Sequence, residues 1–462
     1  MENSLLKKRY NLSLIPVIFT LAWPTMLEQI MGTAVQYIDT AMVGSLGTSA
    51  TAAVGSTTTV NWLMGSTVSA FGVGFLAYIS QANGAGDRER ARRASAQSVF
   101  TVLVVGILFT VLALSLSRAI PVWMQVDEKI LDLASTYFFI IYTPMIFRVS
   151  TNIFGTVLRA AGDTRTPMRV GVLMNIINVV LNYLLIYETR PVRLLGLTVK
   201  MPGAGMGVVG AALASAVSFT VGGICIFAAL WSHPEISPKG VSMKPDMEIL
   251  RPCIKVAVPN ILQRFCTSLG YVVFASMINS LGEVATAAHT VANTVESAFY
   301  VPGYGMMTAS ATLTGNCFGA GDWQRQKDIS RLIILIEVAM MVLSGGLLLL
   351  FAPRLVMLFS KSPEVIALGS RVLRMVALIE PFYGASIVIE GMLMGAGDTT
   401  RPFRYSVGTM WGIRILGTFI CVSLLGMGLV SAWACMIANN MALFLLFAIY
   451  YRTGFERLWK KG

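Results

Sequence analysis

Long apolar runs separated by short polar breaks recur along the whole chain. The runs at 98–116 and 332–351 are typical, and each could cross the roughly 30 Å hydrocarbon core of a bilayer as a helix. Short segments of alternating hydrophobicity, which a membrane β-barrel requires, do not occur. The pattern predicts about twelve spans, near 14–43, 52–83, 96–117, 131–158, 168–187, 206–231, 253–280, 285–317, 330–352, 367–394, 404–425 and 428–450. It is therefore typical of an all-α integral membrane protein.

Composition and charge placement agree with this fold class. The chain is 55% hydrophobic and 13% charged, whereas soluble domains carry about 25% charged residues. The net charge of +12 could suggest a nucleic-acid partner, but aromatic-interleaved basic patches are lacking. Most Lys and Arg residues instead fall in alternate loops, as the positive-inside rule requires. We therefore predict cytoplasmic N- and C-termini, a lipid bilayer as surroundings and no nucleic-acid partner.

The two halves of the chain repeat each other at an offset of 235 residues. Matched segments are ATAA at 50–53 and 285–288, GAGD at 84–87 and 319–322, and Pro24 with Pro259. In the GAGD loops, Gly is suited to end one helix and Asp to cap the next. A period of half the chain indicates duplication of a whole domain rather than a solenoid.

Each half holds six predicted spans, and an even number gives both halves the same orientation in the membrane. We therefore expect two six-helix bundles related by a pseudo-two-fold axis along the membrane normal. The predicted domains are an N-terminal lobe at 1–231, a cytoplasmic linker at 232–246 and a C-terminal lobe at 247–462.

Several further motifs point to one family. They are DTAMVGSLG at 39–47, NVVLNYLLIY at 178–187, VVGAALAS at 208–215, AAHTVA at 287–292 and VESAFYVPGYG at 295–305. With the GAGD loops, this combination resembles the multidrug and toxic compound extrusion (MATE) family, in its bacterial NorM/DinF-like branch. The resemblance implies a carrier in the bacterial plasma membrane that exchanges small amphipathic, often cationic compounds for H⁺ or Na⁺ by rocking of two lobes. It implies no other cofactor, and we expect a monomer.

The resemblance also implies a cation-coupling site in the N-terminal lobe. Its members are Asp39, Asn178, Asn182 and Ser215. Asn182 stands where some family members carry a second Asp, which leaves the choice between H⁺ and Na⁺ open. Other members carry a Glu in the seventh helix and an Asp in the tenth, where this chain has Thr267 and Tyr383. A C-terminal cation site of that kind is therefore not predicted.

The repeat gives an independent argument for the same site. Asp39, Asn178 and Asn182 break the repeat, since their counterparts are Phe274, Ile413 and Gly417. A charge near the centre of a membrane helix costs about 2.5–3.5 kcal/mol on insertion scales, so a charge kept in one copy indicates a function. The two asparagines are four residues apart and share one helix face. The structural alternative is a solvated Asp39 near its helix end and asparagines that only join helices.

Other polar residues within the spans are candidates for the substrate cavity, namely Glu296, Glu28 and Gln263. Glu296 replaces Asn61 of the first copy, and its alternative role is a salt bridge to Arg264. Glu337 lies in a span that we expect to be peripheral, and no role is predicted for it. Pro24 removes a backbone hydrogen bond and would permit a bend in the first helix.

Three functions other than antiport would each require different sequence features. A lipid-linked precursor flippase of a related two-lobed fold would need a strongly cationic cleft, but the basic residues within the spans are roughly matched by acids. An integral-membrane enzyme would need clustered catalytic or metal-binding residues. The chain has two His and no such pattern, so neither catalytic nor metal-ligating residues are predicted. A channel would need a repeated filter-like loop.

The substrate hypothesis predicts a selective effect of Glu296→Gln. If Glu296 attracts cationic substrates, the variant should transport cations more weakly while neutral compounds are less affected. The measurement is efflux of paired cationic and neutral dyes. Equal loss for both classes, with less protein in the membrane, would favour the salt-bridge alternative.

Overall fold

The computed structural model describes residues 12–124, 126–194 and 197–456. The basic segment at 7–9 and most of the basic segment at 456–462 lie outside the described residues. After a 3₁₀ turn at Leu12–Leu14, the helices are α1 Ile15–Gly44, α2 Thr48–Gly84, α3 Arg88–Ser115, α4 Ala119–Trp123, α5 Glu128–Tyr142, α6 Met145–Ala160, α7 Arg165–Ile186, α8 Gly207–Trp231, α9 Met247–Asn279, α10 Glu283–Ala320, α11 Trp323–Met357, α12 Pro363–Ala377, α13 Glu380–Gly395, α14 Thr400–Leu424 and α15 Leu429–Thr453. Two segments of α14, Met410–Ile415 and Phe419–Leu424, are π-helical.

These helices agree with the predicted number of spans. Within the described residues, nine helices are long and apolar enough to cross a membrane, and two bent helix pairs bring the number to eleven. The 38-residue helix α10 falls on the remaining predicted span at 285–317. The predicted all-α membrane fold is confirmed.

Two of the predicted spans are bent pairs of helices. The span predicted at 131–158 is the pair α5 and α6, bent by 48°, and the span at 367–394 is the pair α12 and α13, bent by 56°. The breaks fall at the same position of the two repeats. Proline explains both, since Pro144 caps α6 and Pro381 lies in the first turn of α13, where a missing N–H costs little.

A β-hairpin that the sequence did not predict connects α7 to α8. Strands β1 Glu188–Leu194 and β2 Leu197–Ala204 are antiparallel, with Val192 opposite Val199. Before the strands, Tyr187 stacks under the guanidinium of Arg190, whose Cζ lies 3.8 Å from the ring centroid. The hairpin lengthens the first repeat at a point where the second repeat has only the short turn between α14 and α15.

Contacts divide the chain into two compact units. The C-terminal unit comprises residues 12–29, 76–87 and 252–456 of the described chain, and the N-terminal unit comprises Ile30–Phe75 and Arg88–Arg251. The start of α1 and the end of α2 therefore pack with the second half of the chain. The predicted lobes, 1–231 and 247–462, follow the duplication rather than these contacts, and they stay a prediction.

The connector after α8, residues 232–246, is hydrogen-bonded to α3 of the N-terminal unit. Arg92 donates to the carbonyl oxygens of Ser237 at 3.1 Å and Lys239 at 2.7 Å. Arg93 pairs with Asp246 at 2.5 Å, and this guanidinium holds the pKa of the Asp246 carboxyl below its usual value. The segment predicted as a linker is thus bound along the first turns of α3.

The GAGD repeat has a packing role that both copies share within the C-terminal unit. Gly84 ends α2 and Gly319 lies near the end of α10. A Cβ on Gly84 would lie 1.9 Å from the carbonyl oxygen of Asn316, and a Cβ on Gly319 would lie 1.8 Å from that of Gln81. The two glycines therefore permit the same close helix crossing from both sides.

The turns that follow these glycines agree with the predicted loop chemistry. Gly86 and Gly321 have φ of 73° and 67°, the left-handed region that favours glycine. Asp322 then caps α11 by accepting a hydrogen bond from the backbone N of Arg325 at 2.9 Å.

This crossing predicts that Gly84→Ala and Gly319→Ala each destabilise the protein, by about 1–3 kcal/mol for overpacking. The matched control is Gly346→Ala on α11, where an added Cβ meets nothing within 4 Å. Thermal unfolding of the purified protein should show a lower Tm for both crossing variants only. Equal Tm values for all three variants would contradict the close crossing.

Candidate cation-coupling site

Three helices of the N-terminal unit bring the predicted coupling residues together. Asp39 lies on α1, Asn178 and Asn182 lie one turn apart on α7, and Ser215 lies on α8. The approach of α7 to α8 depends on glycine, because a Cβ on Gly210 would lie 2.5 Å from the carbonyl oxygen of Leu185. Small residues of this kind let membrane helices approach closely.

The C-terminal end of α1 is joined to the residue after α7 by hydroxyl groups. The Tyr187 hydroxyl lies 2.9 Å from Oγ of Ser45 and donates weakly to the carbonyl oxygen of Met42 at 3.5 Å. This contact lies just beyond Asp39 on α1, and it holds that part of the helix against α7.

The polar side chains of the site form one hydrogen-bonded chain. Asn182 Nδ2 donates to Oδ1 of Asp39 at 2.5 Å and to Oδ1 of Asn178 at 3.1 Å. Asn178 Nδ2 donates to Oγ of Ser215 at 3.1 Å. Both asparagines are buried, while Asp39 and Ser215 are half-buried. The geometry differs from the structural alternative of a freely solvated Asp39.

The Asn178 amide has two possible orientations, and only the first keeps the bond from Asn182, since the turned nitrogen lies 3.1 Å from Asn182 Nδ2. After half a turn, Asn178 Nδ2 donates to Asp39 Oδ1 at 2.8 Å, and its oxygen accepts from Ser215 Oγ at 3.1 Å. In the first orientation the amide oxygen takes that position instead, 2.8 Å from Asp39 Oδ1. Two acceptor oxygens at this distance form a hydrogen bond only when the carboxyl carries a proton. The amide orientation is thereby tied to the protonation of Asp39.

One oxygen of the site has no partner within the described structure. Oδ1 of Asn182 is buried and accepts no hydrogen bond, although Asn182 is only 1% exposed. With the Asp39 carboxylate, the Asn178 carbonyl and the Ser215 hydroxyl, it offers the hard oxygen donors that Na⁺ or a proton would need. The set could hold a monovalent cation, with a single carboxylate to balance its charge.

Sequence reasoning missed Tyr137 of α5, which belongs to this neighbourhood. Tyr137 is 7% exposed and interacts electrostatically with both Asp39 and Arg148. Tyr137 breaks the repeat as Asp39 does, because its counterpart in the second half is Val372. The sequence therefore contained the information needed to find it. A phenol next to the carboxyl adds a further proton donor or acceptor.

Arg148 of α6 lies among aromatic rings in the N-terminal unit. Its Cζ lies 5.0 Å from the ring centroid of Phe219 and 5.7 Å from that of Tyr142, within the range of cation–π attraction. Tyr142 in turn donates to Oδ1 of Asn61 at 2.5 Å. The basic residue is therefore held by rings and amides close to Tyr137.

Two of the predicted cavity residues, Gln263 and Glu296, have different partners. Gln263 donates to Oε1 of Glu390 at 2.9 Å and to Oγ of Ser406 at 3.1 Å. Glu296 is 4% exposed and interacts electrostatically with Arg414, whereas Arg264 interacts with Glu390. Glu28 is half-buried on α1. The alternative role of Glu296, pairing with a basic residue, thus involves Arg414 rather than Arg264.

Two residues of the sequence analysis lie elsewhere in the C-terminal unit. Pro24 is buried within α1, which the structure describes as a single helix, and the hydroxyl of the next residue, Thr25, donates to the carbonyl oxygen of Gly305 at 3.0 Å. Glu337 was expected in a peripheral span, which stays a prediction, and its own side chain is 0% exposed. One face of α11 is exposed, as at Leu343, and the opposite face is buried.

Comparison with known proteins agrees with this architecture. The model of the MatE family matches residues 24–184 and 259–420, one match in each repeat. The Thermotoga maritima protein described as "Probable multidrug resistance protein NorM" is 27% identical, over 94% of this chain and 91% of its own. The Bacillus subtilis protein described as "Probable multidrug resistance protein YoeA" is 25% identical, over 95% and 92%. A crystal structure of a MATE protein in the bent conformation has a TM-score of 0.87 at 23% identity, covering 96% of both chains.

Proposed function

Since the chain belongs to the MatE family of multidrug efflux transporters, and is therefore a transporter and not an enzyme, we propose that it exports amphipathic, mainly cationic compounds in exchange for H⁺ or Na⁺. The site of exchange is the group of Asp39, Asn178, Asn182 and Ser215. The names of the Thermotoga and Bacillus relatives support drug-like substrates and a bacterial plasma membrane. The working unit in this proposal is a monomer.

The observation that carries the proposal is the pairing of Asp39 with the Asn178 amide. With Asp39 protonated, its hydroxyl donates to the Asn178 oxygen, and the amide nitrogen donates to Ser215. With Asp39 ionised, the amide turns, its nitrogen donates to the carboxylate, and Ser215 donates to the amide oxygen. In both states Asn178 has partners on Asp39 and Ser215, but only the protonated state keeps the bond from Asn182, whose Nδ2 lies 3.1 Å from the turned Asn178 nitrogen.

Sodium is the second candidate ion, and the unpartnered Oδ1 of Asn182 favours it. An ion between Asp39 and the asparagines would take this oxygen as a ligand, but Asn182 Nδ2 now points at the carboxylate at 2.5 Å and would have to turn away. Proton exchange requires a smaller change, because Asn182 Nδ2 keeps its bond to Asp39 and gives up only its bond to Asn178. The geometry therefore favours H⁺.

Antiport requires that cation and substrate shift one conformational equilibrium in opposite directions. A ligand shifts an equilibrium only by the difference between its affinities for the two states. Neutralising Asp39 removes a charge from among α1, α7 and α8 and changes how these helices pair. α1 carries Asp39 in the N-terminal unit and Pro24 in the C-terminal unit, so a change at Asp39 can act along this helix on both units. Substrate release then follows cation binding.

The coupling proposal predicts that Asp39→Asn abolishes gradient-driven efflux while membrane insertion is kept, because Asn imitates the neutral carboxyl. The measurement is efflux of a fluorescent lipophilic cation from proteoliposomes, under a pH gradient or a Na⁺ gradient imposed separately. Wild type should respond to the pH gradient. A response of wild type to the Na⁺ gradient alone would assign the coupling ion to Na⁺.

The matched control is Asp132→Asn on α5, an acid whose side chain is 93% exposed and which should transport normally. Full efflux by Asp39→Asn under either gradient would show that coupling does not depend on this site.

A further inference from the structure

Three glutamates lie together in the interior of the C-terminal unit. Glu296 of α10 is 4% exposed, and Glu337 of α11 and Glu380 of α13 are both 0% exposed. Glu380 interacts electrostatically with the other two. All three belong to the second copy of the repeat alone, because their counterparts are Asn61, Val102 and Met145. The duplicated packing therefore does not require these acids.

Two of the three carboxyl groups have no partner. Neither oxygen of Glu337 nor of Glu380 makes a hydrogen bond to any described residue. The Glu337 carboxyl occupies a niche between two glycines, since its Oε1 would lie 2.6 Å from a Cβ on Gly303 and 3.1 Å from a Cβ on Gly384. Side chains at these glycines would fill the niche.

One base faces the cluster within the described structure, namely Arg414 in the π-helical part of α14. It interacts electrostatically with Glu296, and its Cζ lies 4.6 Å and 5.0 Å from the ring centroids of Phe274 and Tyr271. A phenol of α10, Tyr300, interacts with Glu296 and Glu380, and Tyr383 of α13 interacts in turn with Tyr300.

The helix next to the cluster brings no further charge. The charged residues of α12 are Glu364, Arg371 and Arg374, and all of them are exposed. The other buried base, Arg264 of α9, interacts with Glu390 and Tyr304 instead. One guanidinium therefore stands against three carboxyls.

An unpaired carboxylate in such surroundings is so costly that the group takes up a proton instead. Repulsion between Glu380 and its two acidic neighbours acts in the same direction. A metal ion is not the natural alternative, because the described residues contain no group of three His, Cys, Asp or Glu side chains placed to hold one.

We propose that Glu337 and Glu380 form a second proton-binding site, independent of Asp39, whose protons exchange with solvent through Glu296. Glu296 is the least buried of the three acids and the one that interacts with Arg414. Glu380 is the first residue of α13, at the 56° break between α12 and α13. Discontinuous helices of this kind are where transporters commonly place ion sites. The protons thus lie where a change in the helix break would alter their surroundings.

Infrared spectroscopy of the purified full-length protein tests this directly, because a protonated carboxyl and a carboxylate absorb at different frequencies. At neutral pH, wild type should show protonated-carboxyl absorption, and Glu337→Gln and Glu380→Gln should each remove part of it. The matched control is Glu364→Gln, an exposed acid on α12, which should change nothing in this region. A wild-type spectrum without this absorption, or variants that leave it unchanged, would overturn the proposal.

Exchange with solvent is the second measurement, and it separates a working site from a sealed structural proton. After transfer of wild type to D₂O, the protonated-carboxyl absorption should shift within minutes, and Glu296→Gln should slow the shift at least tenfold. Absorption that never shifts would overturn the exchange step. This test needs only wild type and Glu296→Gln, so it decides even if Glu337→Gln fails to fold.

The variant Asp39→Asn distinguishes the second proton-binding site from the proposed coupling site. That variant should retain the absorption assigned to Glu337 and Glu380, so the two proposals can fail independently. If the absorption disappears with Asp39→Asn instead, the proton belongs to the N-terminal site and the second site does not exist.

Discussion

The cost of an unsatisfied polar or charged group in an apolar interior is the constraint on which this molecule depends. Each unpaired backbone group in hydrocarbon costs several kcal/mol, so the chain crosses the membrane as helices that satisfy their own backbone. The same cost acts on side chains. Asp39 meets it with an amide donor from α7, whereas Glu337 has no hydrogen-bond donor within the described structure, which is the basis for proposing that it holds a proton. The acids of the two halves thus have opposite surroundings.

Duplication separates the residues that build the bundle from those that perform chemistry. Gly84 and Gly319 occupy equivalent positions and permit the same close helix crossing, since a backbone carbonyl lies where each Cβ would be. The polar residues do not follow this rule. Asp39 and Tyr137 occur in the first copy only, and Glu337 and Glu380 in the second copy only. A shared backbone therefore carries two different sets of ionisable groups.

Helix irregularities occur where these groups lie. The α5–α6 and α12–α13 breaks are equivalent in the two repeats, but only the second break carries an acid, Glu380. The π-helical segments of α14 include Arg414, the base that faces this acid cluster. π-Helical turns and broken helices are frequent at functional sites because their backbone is less constrained than a regular helix. The two halves therefore differ in backbone conformation as well as in charge.

The sequence by itself determined the all-α membrane fold, the number of spans and the duplication, because apolar length and a constant offset are properties of the chain alone. It also identified Asp39, Asn178 and Asn182, through helical spacing and the broken repeat. Only the tertiary structure decided that Tyr137 joins them and that Glu337 lies on the buried face of α11. The physical reason is that lipid tails and a protein core are equally apolar. Hydropathy therefore does not tell which face of a membrane helix packs against protein and which faces lipid.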